Sequence, residues 1–87
     1  MHLTAIATKC HAIVRALWKT SEPLYVQHRG AIIARIGPAA TAIIPPSFHR
    51  VTTTDLRTPT ATYARLLAGE PVVVLWGNIP SLVLVPV

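Results

Sequence analysis

Residues 69–86 read GEPVVVLWGNIPSLVLVP, and this stretch decides the fold. Two apolar, β-prone runs, VVVLW at 72–76 and SLVLV at 81–85, flank Gly77 and Asn78. That pattern predicts two strands joined by a turn. Pro80 has no N–H to donate, so it is expected at an edge or a bulge. Upstream, Gly69 and Pro71 stop a helix whose apolar face holds Tyr63, Leu66 and Leu67. Thr58 and Pro59 are expected to cap and open that helix, since proline has no donor to waste in a first turn. Before them Asp55 opens a helical turn, and VTTT at 51–54 offers a short strand.

The first half of the chain follows the same grammar. Cys10, Ile13, Val14, Leu17 and Trp18 recur at helical spacing, with Lys9, Arg15 and Lys19 mostly on other faces. Thr8 is the expected cap, and Ser21 with Pro23 the expected end. LYVQH at 24–28 and AIIARI at 31–36 then form a hairpin around Arg29 and Gly30.

At a constant offset of 48, Thr4 falls on Thr52, Ala16 on Ala64, Glu22 on Glu70, Pro23 on Pro71, Val26 on Val74 and Pro38 on Pro86. The expected fold is therefore α+β: two tandem β-α-β-β units, 1–38 and 50–87, joined by a linker over 39–49. Their strands should share one twisted antiparallel sheet as a pseudo-dimer. The buried set should include Ile13, Leu17, Tyr25, Ile33, Leu66, Leu67, Val73 and Leu84, with Trp18 in the core and Trp76, beside a hairpin turn, either packed against the other unit or presented as an exposed contact.

Composition narrows the function. The 87 residues carry eight Lys and Arg against three carboxylates, for a net charge of +5. Five of these cations against one Glu lie before Arg50, so an anionic partner is expected to lean on the first half. The apolar run from Pro71 to Val87 is broken by Gly77, Asn78, Pro80 and Pro86, and its pieces fall short of the ~20 residues of a spanning helix. No secretory leader is read at the N-terminus, and a lone Cys10 forms no internal disulfide, so a cytoplasmic protein is expected.

Catalytic chemistry is not expected. The carboxylates Glu22, Asp55 and Glu70 are few, and Glu22 and Glu70 occupy equivalent Glu-Pro breaks. His2, His11, His28 and His49 stand at no metal-binding spacing, and no glycine-rich phosphate loop is present. Cys10 is expected to be a small buried thiol. The reading is of a non-enzyme with no metal and no cofactor.

Three segments, TTDLR at 53–57, GEPVVVLWGNIPSLVLVP at 69–86 and EPLYVQHRGAIIARIGP at 22–38, together resemble the amino-terminal region of the Phd/YefM family of antitoxins. The resemblance spans nearly the whole chain, counted as two units. It implies dimerisation through this region and repression of an operon by binding duplex operator DNA. An arginine near the first helix start is a recurrent DNA contact in the family, which implies roles for Arg57 and, in the first unit, Lys9. Thr8 and Thr54 beside them, with His28 and Arg29 in the basic turn, complete the expected DNA-binding set. A helix N-terminus offers free N–H groups and a positive dipole end to a phosphate. Family members continue into a toxin-wrapping tail where this chain stops at Val87. The alternative is a protein-interaction module that binds a toxin, an antitoxin or another assembly partner without binding DNA, and either reading leaves room for a homo-oligomer.

Overall fold

The structure, a computed structural model, describes residues 1–19, 23–39 and 44–87. Helix α1 (Leu3–Lys19) is followed by strands β1 (Leu24–His28), β2 (Ala31–Pro38) and β3 (His49–Thr52). A 3₁₀ turn (Asp55–Arg57), helix α2 (Thr60–Leu67) and strands β4 (Val72–Trp76) and β5 (Ile79–Pro86) complete the chain. The fold is α+β, with a five-stranded mixed sheet in the order β1-β2-β5-β4-β3.

Both hairpins turn on two residues with positive φ: Arg29 (52°) and Gly30 (80°), then Gly77 (57°) and Asn78 (65°). Two successive left-handed residues match the twist of the strands they join. The register slips between Val26 and Gln27 in the first hairpin and between Val74 and Leu75 in the second. Pro80 lies opposite Leu75 beside the second slip, where a missing donor costs least. The strands β1 and β4, like β2 and β5, begin and end 48 positions apart. The hairpins meet along β2 and β5, which run antiparallel with Arg35, Ile36 and Gly37 opposite Val85, Leu84 and Val83.

One face of the sheet carries the helices. Val26, Ala34, Ile36, Val51, Val72, Val74, Leu82 and Leu84 point into a core closed by Leu3, Ile6, Cys10 and Ile13 of α1 and by Leu56 and Leu66. The α1 residues are three or four apart, so they form one stripe. Within α1, Lys9 departs from helical geometry (φ −118°, ψ 23°). The Thr8 hydroxyl donates to the Thr4 carbonyl at 3.1 Å, a bond of the kind that bends helices. A comparable break at Thr58 (φ −119°, ψ 77°) separates the 3₁₀ turn from α2.

Several expectations are corrected. The sheet is mixed rather than antiparallel, because β3 runs parallel to β4. The first half has no strand before its helix: α1 starts at Leu3, and Met1 alone lies against β1, its carbonyl accepting from the Gln27 N–H at 2.8 Å. Thr8 is interior to α1 and caps nothing. Pro59, not Thr58, holds the N-cap position of α2, and the Thr58 hydroxyl instead donates back to the Asp55 carbonyl. Of the expected core, Ile13, Leu66, Val73 and Leu84 are buried, while Leu17 and Ile33 sit at its edge. Tyr25, Leu67 and Trp18 are exposed. The expected helix stop at Ser21, the Glu22 break and residues 40–43 of the linker lie outside the described residues.

Candidate nucleic-acid interface

The six residues singled out from the sequence fall on three elements. Thr8 and Lys9 mark the bend of α1, Thr54 and Arg57 bracket the 3₁₀ turn, and His28 and Arg29 end β1 and begin its turn. Thr8, Lys9, Thr54, Arg57 and Arg29 are exposed, and His28 is half-buried. Helix α1 packs against the 3₁₀ turn, so Lys9 and Arg57 belong to one layer on one face of the sheet. Among the described residues the only ion pair joins Arg65 to Glu70, at 3.7 Å. Lys9, Arg29 and Arg57 have no ion-pair partner among the described residues.

The 3₁₀ turn is held by a reciprocal clasp. The Asp55 carboxylate accepts from the Thr52 N–H at 2.9 Å, and the Thr52 hydroxyl accepts from the Asp55 N–H at 3.1 Å. Asp55 thus satisfies local donors, as a capping carboxylate does at a helical start. Arg57 closes the turn, so its stem begins from a fixed backbone.

Because β2 and β5 are antiparallel, the two hairpin turns lie at opposite ends of the sheet. Each turn is tied to a helix of the other half. His28 stacks on Tyr63 of α2, with ring centroids 4.5 Å apart. Trp76 stacks on His11 of α1 at 5.2 Å. The Tyr63 hydroxyl also accepts from the Leu3 N–H at 3.1 Å, which satisfies one orphan donor of the α1 N-terminus. One end of the molecule therefore gathers His28 and Arg29 with α2, and the other gathers Trp76, Gly77 and Asn78 with the stretch of α1 after Lys9. The basic turn of the first half is joined to the helix that Arg57 precedes, not to the helix of Lys9.

Tyr63 and His11 were not singled out as site residues from the sequence. A signal existed in the aromatic rings of His28 and Trp76, which stand 48 positions apart at the ends of matching strands. Cys10 is buried, and that burial pushes its thiol pKa above the usual value. A thiol so placed is a poor nucleophile. Among the described residues no three His, Cys, Asp or Glu side chains gather as metal ligands, and no helix is long and apolar enough to cross a membrane.

Compared with family models, with curated proteins and with solved structures, the chain matches none of them.

Proposed function

We propose that the chain is an antitoxin-type transcriptional repressor that binds duplex DNA, with its two related halves acting as a pseudo-dimer. The observation that carries this reading is the seam between β2 and β5. Ile36 faces Leu84, 48 positions later, and the pairs Arg35–Val85 and Gly37–Val83 flank it symmetrically. In this reading a local twofold through that pair relates the two hairpins, whose register slips also stand 48 positions apart.

A twofold protein suits a palindromic operator, each half meeting one half-site. In this reading the first composite end uses Arg57, Thr54, His28 and Arg29. The other uses Lys9 and Thr8 beside the Gly77–Asn78 turn. Only one turn carries an arginine, so the half-sites are held unequally.

The test is binding of the purified chain to duplex DNA across a salt series. Arg57→Ala is expected to weaken binding to all sequences and to lower the salt slope by about 1 if the contact is a phosphate. A guanine-edge contact would instead cost roughly 1–3 kcal/mol at one operator position. Lys9→Ala should act on the opposite half-site. If the folded Lys9/Arg57 double alanine variant binds DNA as the parent does, the DNA role carried over to these residues is lost, and if the parent shows no salt-dependent binding the repressor reading fails. A protein-interaction module then takes its place, a reading favoured by the exposed Tyr25 and Val85 on the sheet face away from the helices.

A further inference from the structure

Both tryptophans of the chain are open to solvent, Trp18 at 60% and Trp76 at 49% exposure, around a core whose buried residues carry no aromatic ring. Large apolar side chains exposed in one place mark a contact surface. Helix α1 links the two. After the bend at Lys9, His11, Arg15 and Trp18 follow at spacings of four and three, so they share one flank of the helix, clear of the buried stripe. Lys19, four places after Arg15, extends that flank, and all four residues are exposed. Trp76 reaches the flank at His11, with ring centroids 5.2 Å apart and planes tilted by 53°. Ile79 pairs with Trp76 across the hairpin and is 67% exposed. From His11 to Trp18 the helix advances about 10 Å, at roughly 1.5 Å per residue.

The flank carries charge of one sign. α1 holds Lys9, Arg15 and Lys19 and no Asp or Glu, and the hairpin from Val72 to Pro86 holds no carboxylate either. The described carboxylates lie elsewhere: Asp55 accepts from Thr52, and Glu70 is paired with Arg65.

We infer that this aromatic and basic flank is a stacking site for unpaired bases, its ligand a single-stranded nucleic acid lying along α1. Bases of any sequence stack on open indole faces, while the cations between and beside the rings meet the phosphates. About 10 Å of helix spans about three nucleotide steps of a stacked strand, at about 3.4 Å each. A duplex fits less well, because its bases are already stacked on one another and offer only their edges. A lipid surface is a poorer match too, since Arg15 stands between the rings where a membrane-bound helix presents an unbroken apolar face. The inference uses residues outside the proposed operator contacts and stands apart from the repressor reading.

The probe is a fluorescein-labelled fifteen-nucleotide oligothymidylate, titrated with the intact protein and read by anisotropy. Saturable binding is expected, and a strand of equal length and charge that lacks bases should bind at least about tenfold more weakly. Unlabelled oligothymidylate should quench Trp76 emission in a Trp18→Phe background. Trp76→Leu, which keeps apolar bulk without the ring, should weaken binding by about tenfold, and Trp76→Phe should retain most of it. Trp18→Leu, at its exposed site, should weaken binding likewise with an unchanged circular dichroism spectrum, so the test does not depend on how the Trp76 variants fold. Arg15→Ala with Lys19→Ala should lower the salt slope by about 1.4, at about 0.7 for each phosphate contact on a single strand.

Equal binding of the base-free strand, binding indifferent to both leucine substitutions, or no saturable binding by the parent overturns the inference. So does a parent that holds vesicles of three parts phosphatidylcholine to one part phosphatidylserine through both tryptophans and leaves the oligothymidylate free, which assigns the flank to a lipid surface. A duplex titrated on the same samples separates the two readings. Tryptophan-dependent strand binding without duplex binding loses only the repressor role, and duplex binding without it loses only the stacking site.

Discussion

Arg29 holds a left-handed conformation at φ 52°, where a Cβ meets the neighbouring carbonyl and glycine alone is free of strain. Its partner in the turn is Gly30, and the corresponding turn uses Gly77 with Asn78, two residues better suited to that geometry. An arginine at this spot costs roughly 1 kcal/mol or more in the folded state. Arg29→Gly should therefore raise the thermal midpoint, read by circular dichroism, or leave it level where the unfolded chain gains freedom by the same change. In the proposed repressor the same substitution weakens DNA binding and lowers the salt slope. A fall in midpoint with unchanged DNA affinity would show that the arginine serves the hairpin rather than a ligand.

Among the strands, β5 is the element on which the sheet depends, since Leu84 lies between Ile36 on one side and Val72 on the other. Leu84→Ala should cost about 2–5 kcal/mol in urea unfolding, the range for a truncated buried leucine. Leu67→Ala, at an exposed site on α2, should stay within about 0.5 kcal/mol of the parent. Equal losses at the two positions would mean that the helix face has been assigned wrongly.

The hairpins were legible in advance because strand runs and turn residues are local signals. Facing was harder. Tyr25 is large and apolar, but strand alternation beside the inward Val26 turns it out, and parity outweighs hydrophobicity there. Leu3 and Ile6 extend the stripe of Cys10 and Ile13 back at regular spacing, yet the repeat led to the expectation of a strand at their position. The contacts of His28 with Tyr63 and of His11 with Trp76 had no sequence signature of partnership, because each joins residues brought together only by the crossing of the two halves.

For the whole molecule, a single core draws side chains from both ends of the chain, and the β2–β5 seam leaves neither hairpin with a free inner edge. Unfolding should be one cooperative transition, with far-UV circular dichroism and Trp76 emission in a Trp18→Phe background giving the same midpoint. Separate midpoints would mean that one half holds together without the other. At the centre of that seam Ile36 looks across at Leu84. In an assembly of two identical subunits, a side chain on the axis meets its own copy, and every mutation in the gene is made twice. Here two codons write the two sides, so either can drift, improve or be repaired while the other stays as it was.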